Sequence, residues 1–244
     1  MREADRRHVV MLAPMPLEMD AITKAFGLAP VDASPGSPWT GRVGESDVTA
    51  VHIGMGPPLT RLALDGLFDH SAPGYRPIDH VMNAGICGGL DPSRPVGTLV
   101  NPECIIEHST GVSYAHHPPG GAPREGILIT TDEATLDHDS SRRFFEQGYI
   151  AVDMESAAVA DFCDGRGIPW SVYRCIGDRY FDGLLDERVI AATNPDGSGN
   201  MEEITRLLED PQIRANLERL GAETSQAAKL AAEAALRGCL ALDG

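Results

Sequence analysis

Three carboxylic acids stand where their type and setting could support chemistry. Glu155 lies in Val152-Asp153-Met154-Glu155-Ser156-Ala157-Ala158-Val159-Ala160, where an apolar extended run passes straight into a helix of small residues. A carboxylate at a helix N-terminus is favoured as the anion. As an anion it can accept two hydrogen bonds from vicinal hydroxyls, such as those of a ribose. The same position suits a Glu that only caps the helix, and these residues alone leave the two readings level. Asp178 follows the buried run Tyr173-Arg174-Cys175-Ile176-Gly177. A desolvated carboxyl group keeps a raised pKa, as a general acid needs, although an Asp that caps or turns the chain is the commoner use of such a place. Glu18 sits in Ala13-Pro14-Met15-Pro16-Leu17-Glu18-Met19, just past the first extended run. A carboxylate there can take a proton from water. Taken alone, it reads better as an acid stabilising the first turn of a helix.

Two further clusters carry less. Asn83-Ala84-Gly85-Ile86-Cys87-Gly88-Gly89 is a glycine-rich turn after an extended run, able to bring backbone amides against a base or an anion. A lone glycine cluster of this kind is unspecific. His116-His117 lies in a Pro/Gly stretch with no third ligand at a fixed spacing, so no metal site is read there. The chain has no GxSxG, HExxH, P-loop or GxGxxG motif.

The elements that must hold these residues alternate. His8 to Ala13 reads as a buried strand and Leu17 to Phe26 as a helix, with Leu17, Ala21, Ile22 and Ala25 on one face. Val48 to Ile53 reads as a strand ending in Gly54-Met55-Gly56, and Leu59 to Asp69 as a helix. Asp79 to Ala84 is a strand, Gly97 to Glu107 and Gly126 to Thr131 are extended, and Tyr149 to Val152 is a strand running into a helix from Glu155 to Asp164. Trp170 to Ile176 is a strand ending at Gly177-Asp178, and the Ala-rich stretch from Asp210 to Leu240 is helical. Val31 to Trp39, Ser113 to Arg124 and Ala192 to Asn200 read as loops, the second of them mobile. Strand, turn and helix in repetition predict an α/β fold: one domain over residues 1–244, a central mixed, mostly parallel twisted sheet, and helices on its faces. In such folds ligands lie at the carboxyl ends of strands. That rule selects Pro14 to Glu18, Gly54 to Pro58, Asn83 to Gly89, Asp153 to Ser156 and Gly177 to Asp182.

Composition narrows the partners. The 244 residues are 42% hydrophobic and 23% charged, enough to build a sizeable core. Aromatic residues are only 5%, so Ala, Val, Leu and Ile must fill it. The net charge of −16 disfavours nucleic acid and anionic lipid and suits a small neutral or cationic ligand. An acidic face that serves solubility alone accounts for the charge equally simply. Five scattered cysteines without CxxC spacing argue against a disulfide framework or a zinc site, and Cys163 and Cys175 read as core residues. No stretch approaches the roughly 20 apolar residues that span a bilayer. The charged start MREADRRH does not read as a secretory leader. The expectation is a cytoplasmic protein with no membrane or nucleic-acid partner.

Taken in order, the strand–Glu turn, the Gly-Met-Gly turn, Asn-Ala-Gly-x-x-Gly-Gly-Leu, Val-Asp-Met-Glu-Ser-Ala-Ala-Val-Ala and a strand ending in Gly-Asp resemble the purine nucleoside phosphorylase and nucleosidase superfamily. Within it the chain is most similar to the methylthioadenosine/S-adenosylhomocysteine nucleosidases. The resemblance covers about residues 8 to 182. The tail from about residue 200 diverges and is more similar to the hopanoid-associated phosphorylase-like members. The resemblance implies the nucleoside phosphorylase-like fold and a purine nucleoside, with adenine as base and a modified 5′ position, as substrate. It implies catalysis by Asp178, donating a proton toward N7, and by Glu18, deprotonating water. Glu155 would bind the ribose hydroxyls, Met154 would lie under the ring, and Gly56, Ala84, Gly85 and Ile86 would line the site. It implies no metal or organic cofactor, and a homodimer that completes the 5′ pocket. Three positions depart from the nucleosidase pattern. Ile86 and Gly177 stand where hydroxyl residues are usual, and Thr135 stands near the place of a base-stacking aromatic that Tyr180 or Phe181 could replace. A phosphorylase would need a cation for its phosphate, with Arg61 or Arg94 as the candidates, and a non-catalytic nucleoside-binding protein is the third reading.

Overall fold

The first strand explains the layout. β1 (Arg7–Ala13) is buried through its second half, and its side chains alternate between two cores. Val9, Met11 and Ala13 enter one cluster, and Val10 and Leu12 the other. A strand buried on both faces needs helices on both, and the chain supplies them. The computed structural model describes residues 6–72, 75–121, 123–134, 138–184 and 187–243.

After β1 come α1 (Pro16–Phe26), β2 (Ala29–Pro30), β3 (Trp39–Val43), β4 (Ser46–His52) and α2 (Pro57–Leu67). β5 (His80–Gly89) is followed by β6 (Leu99–Val100), β7 (Cys104–Glu107), β8 (Ser113–Ala115), β9 (Ile127–Thr130) and α3 (His138–Glu146). Then follow β10 (Tyr149–Asp153), α4 (Ser156–Asp164) and β11 (Trp170–Arg179), and finally α5 (Glu187–Ala191), α6 (Met201–Leu207) and α7 (Pro211–Ala241). α1 and α7 cover one face: Met19, Ile22 and Phe26 meet Ala232, Ala235 and Cys239 over Met11, Met82 and Ala84. α2 and α4 cover the other, with Leu64, Ala157, Ala160 and Cys163 over Val10, Val81 and Val172. Small residues along α7 let it lie close to the sheet. Gly238 is required there, because the Tyr173 phenol occupies the space a Cβ would take.

The sheet runs β2-β3-β4-β1-β5-β10-β9-β7-β8, with β11 on β5 and β6 beyond it. The pairings β4–β1–β5–β11 and β10–β9–β7 are parallel; most antiparallel pairings lie at the rims, in β2–β3–β4, β7–β8 and β11–β6. β5 is the branch. Its first half pairs with β1 up to Asn83, whereas Gly88 and Gly89 pair antiparallel with β10. The crevice opens where β1 and β10 part, at the carboxyl ends of both.

The stretch read as a mobile loop is partly ordered. Ser113–Ala115 pairs with β7, and His116 is fully buried, its Nδ1 3.1 Å from the Pro102 carbonyl and its Nε2 accepting the Val172 N–H at 3.0 Å. Both ring nitrogens are thus engaged by backbone. Among the described residues no helix is long and apolar enough to cross a membrane, and all five cysteines are free.

Candidate active site

A cleft at that crevice is lined by Pro14, Met15 and Glu18 after β1, Met55 after β4, Ile86 to Gly88 of β5, and Val152 to Glu155 of β10 and its turn. Thr131 and Ala134 after β9 and Asp178 of β11 complete it. The three acids singled out by sequence therefore meet in one cavity, brought there by three different strands.

Glu155 occupies the N-cap position of α4, yet its side chain caps nothing. Its Oε1 accepts the Gly56 N–H at 2.8 Å and its Oε2 the Arg174 guanidinium at 2.9 Å. Gly56 adopts φ +86, a conformation open to glycine, and this aims its N–H at the carboxylate. Glu18 does two things at once. Oε2 accepts the Met15 N–H at 2.8 Å, closing the first turn of α1, and Oε1 accepts the Ile86 N–H at 2.7 Å. Burial raises its pKa to about 7; Arg174 pulls downward and Glu155 pushes up, while the two backbone N–H groups lower it. Asp178, part-open to the cleft, is raised to about 6 by burial first and then by Asp182 and Glu223.

Sequence reading passed over the residue that joins this site. Arg174 is wholly buried. Its Nε donates to Asp153 Oδ2 at 2.8 Å, its Nη2 reaches Asp153 and Glu155, and its Nη1 lies 3.7 Å from Glu18. Burial opposes its charge, and the carboxylates of Asp153, Glu155 and Glu18 outweigh burial, so it stays protonated. Asp153, selected only as the start of a strand-end segment and given no role, accepts from Thr130 Oγ1 at 2.7 Å and from the Ser156 hydroxyl, which fixes it as an anchor for Arg174. The only sequence signal was a cation inside an apolar strand, Trp-Ser-Val-Tyr-Arg-Cys-Ile. A buried cation needs paired anions, and those come from two other segments.

The remaining expectations divide. Met154 and Ile86 line the cleft. Gly85 backs it: a Cβ there would overlap the Glu18 carboxylate and stand 2.7 Å from Arg174 Nη1. Ala84 points the other way, into the α1–α7 core, and is not among the lining residues, because successive strand residues face opposite sides. Tyr180 and Phe181 form a single 3₁₀ turn, Tyr180 packing by Phe144 and Leu90 and Phe181 under Arg179; neither lines the cleft. Thr135 lies outside the described residues. Gly177 leaves room for Ile86, whose Cβ would be 3.2 Å from a methyl at that position, so these two departures are sterically matched. Arg61 pairs with Glu107 at 3.3 Å, and Arg94 with Asp91 at 3.2 Å and with Glu125; neither reaches the cleft. No described lining residue is basic. Among the described residues no group of three or more His, Cys, Asp or Glu is arranged to hold a metal ion.

The arrangement offers one carboxyl group, Glu155, raised by burial against the pull of Arg174 and fixed as an acceptor by Arg174 and the Gly56 N–H, and two carboxyl groups that titrate near neutrality. A family model described as the phosphorylase superfamily matches residues 8–124 and 120–210. A 5′-methylthioadenosine/S-adenosylhomocysteine nucleosidase of Tolumonas auensis is 25% identical over 170 residues, covering 57% of this chain and 72% of the relative. The S-adenosylhomocysteine nucleosidase of Streptococcus pyogenes, solved with 5-methylthiotubericidin, superposes with a TM-score of 0.69 at 16% identity, covering 98% of each chain. The futalosine hydrolase of Helicobacter pylori gives 0.66 at 15% identity, covering 97% of each. Both structural likenesses speak for the fold.

Proposed function

The chain belongs to the phosphorylase superfamily, and on that premise we propose that it is a hydrolase that cleaves the N-glycosidic bond of a purine nucleoside and releases the free base. The observation that carries the reading is the convergence of Glu18, Glu155 and Asp178 on one cleft, each in a different electrostatic setting. Glu155, oriented by Gly56 and Arg174, accepts the ribose hydroxyls, with Met154 beneath the ring. Asp178 holds a proton that it passes toward N7, which turns the base into a better leaving group. Glu18, beside Arg174 and the Ile86 N–H, orients and deprotonates the attacking water. The departing sugar has oxocarbenium character, and the carboxylates of Glu18 and Glu155 stabilise it. The chemistry calls for no metal or organic cofactor.

Water rather than phosphate is the nucleophile in this reading. A phosphate dianion would meet Glu18 with no basic residue among the described lining, since Arg61 and Arg94 are bound to carboxylates away from the cleft and the charge of Arg174 is shared among three. The names of the relatives support an adenine nucleoside with a modified 5′ position, such as methylthioadenosine or S-adenosylhomocysteine. We also propose a cytoplasmic homodimer; exposed Leu62 on α2 and Val112 beyond β7, on elements joined by Arg61 and Glu107, offer it an apolar face.

The test is chromatography of base released from methylthioadenosine, S-adenosylhomocysteine, adenosine and inosine, each with and without phosphate. Adenine release without phosphate is the expected result. Release only with phosphate would make the protein a phosphorylase, and binding with every nucleoside recovered intact would make it a binding protein.

A further inference from the structure

The irregular stretch between β11 and α7 takes no part in the chemistry above, yet it reaches the cleft. Residues 192–200 form a self-locked hairpin. Thr193 and Gly199 pair as an antiparallel bridge, and the Asn194 N–H donates to the Ser198 carbonyl at 2.8 Å. The Ser198 N–H and hydroxyl both donate to Asp196 Oδ1, at 2.9 and 2.6 Å. The tip of this hairpin is fastened to two of the turns that line the cleft. The Pro195 carbonyl accepts the Met55 N–H at 2.9 Å. His52 Nε2 lies 2.8 Å from the Asp196 carbonyl and 3.2 Å from the Pro14 carbonyl, so one ring N–H is shared between the tip and the turn after β1. Gly197, at φ +76, lies against Met15 so closely that a Cβ would stand 2.5 Å from its Cγ.

On the nucleosidase reading, the base lies at Asp178 and the ribose hydroxyls at Glu155. Pro14, Met15 and Met55 also wall the cleft, and on that reading the 5′ position is assigned to them. We propose that residues 194–198, clasped by His52, select the 5′ substituent by holding Met15 and Met55 as a closed, apolar end wall. The wall is made of thioether and proline side chains, and Thr131 and Ala134 beside it are uncharged. A short apolar group such as a methylthio packs against it. A homocysteinyl group carries an ammonium and a carboxylate, finds no charged partner among the described residues of this wall, and must displace the tip to extend past it. His52 is a positioning residue in this scheme, acting through the two methionines. The proposal rests on the nucleosidase reading and goes beyond it by ranking the substrates.

The experiment measures kcat and KM for adenine release from methylthioadenosine and S-adenosylhomocysteine, with adenosine as reference, in the wild type and in His52→Ala, His52→Gln and Gly197→Val. The wild type is expected to favour methylthioadenosine at least about tenfold in kcat/KM, the order of discrimination a shaped apolar pocket provides. His52→Ala and Gly197→Val are expected to reduce that ratio about threefold or more, through KM rather than kcat, and His52→Gln, which retains an N–H to donate, to restore it. Circular dichroism checks each fold, and His52→Ala carries the test should Gly197→Val not fold. Unaltered selectivity in active variants overturns the proposal alone, as does a wild type that takes both substrates equally. A wild type that releases base from none of the three overturns the nucleosidase reading, and the proposal with it.

Discussion

Asp178 and Glu18 must act in opposite protonation states, and their settings make that possible within a narrow window. Asp178, raised to about 6 chiefly by burial, works as an acid only while protonated, so activity declines as pH rises past that value. Glu18, raised to about 7, works as a base only when ionised, so activity declines as pH falls below it. The two limbs enclose a bell in kcat/KM centred at roughly pH 6.5, with only a minority of molecules in the productive state at the summit. A profile from pH 4.5 to 8.5 measures it. Asp178→Asn should lower turnover by about 10²- to 10⁴-fold and abolish the alkaline limb while substrate still binds; an alkaline limb that survives the substitution removes Asp178 as the acid. Glu155→Gln should narrow the preference for ribo over 2′-deoxy substrates. The amide would set an N–H₂ against Arg174 or against the Gly56 N–H, whichever way it turns. A preference and rate equal to the wild type would end its assignment to the ribose.

At the scale of elements, what could be read in advance was what leaves a local pattern. The buried strands β1, β5 and β11, the α4 junction and the long α7 were visible because apolar runs, glycine turns and alanine spacing are local. β3 was not: Trp39–Val43 lies next to the rim, between β4 and the two-residue β2, and its side chains alternate between half-buried and exposed up to Val43, behind a Pro/Ser/Gly stretch. α3 buries only Ser141 and Phe144, and α5 and α6 bury nothing, so no apolar stripe announces them. Glu18, Glu155 and Asp178 were legible because each lies at or just past the carboxyl end of a strand; β11 runs past the expected end at Ile176 to include Asp178. The Arg174 cluster was not, because its anions come from distant segments and only the folded sheet brings them together. Gly85 shows the same dependence. The run Asn83 to Gly89, expected as a turn, continues β5 as strand, and among its glycines Gly85 looks ordinary, but it alone admits both the Glu18 carboxylate and Arg174. Gly85→Ala should therefore cost about 1–3 kcal/mol in urea unfolding through overpacking, and depress kcat by displacing Glu18. Gly66→Ala, in α2 with nothing within 4 Å of the added methyl, should instead stabilise by about 0.5–1 kcal/mol. Equal effects from the two would show that the crowding at Gly85 is not what that position is for.

For the whole molecule, the buried ionisable groups fall into two opposing sets. His80, against Ser171 at 2.9 Å, and His116, against Val172, are both lowered to about 4, by burial first. An unfolded chain protonates them near pH 6.5, so between about 4 and 6.5 the unfolded state holds the extra protons and stability falls as pH falls. Glu18 and Asp178 do the reverse. Raised from 4.5 to about 7 and from 3.8 to about 6, they hold protons in the folded state that the unfolded chain has released, so stability is lost as pH rises through those values. Glu155, also raised by burial, adds to that side. From about pH 4.5 to 6 the two histidines oppose the carboxyl set, which flattens the wild-type profile there; above about 6.5 only the carboxyl set of these groups still titrates, and stability falls toward pH 8. The double variant Glu18→Gln, Asp178→Asn removes two members of the carboxyl set and leaves Glu155 and the histidines. It should be more stable than the wild type at pH 8, where the site carboxylates are ionised against their burial. On acidification from pH 6 to 4.5 it should lose stability at up to roughly 2.7 kcal/mol per pH unit, one proton's worth of about 1.4 from each histidine. Urea midpoints of both proteins across pH 4.5 to 8 decide the matter. Parallel curves would mean that the catalytic carboxyls titrate at ordinary values and that the fold sets no stability aside to keep them poised.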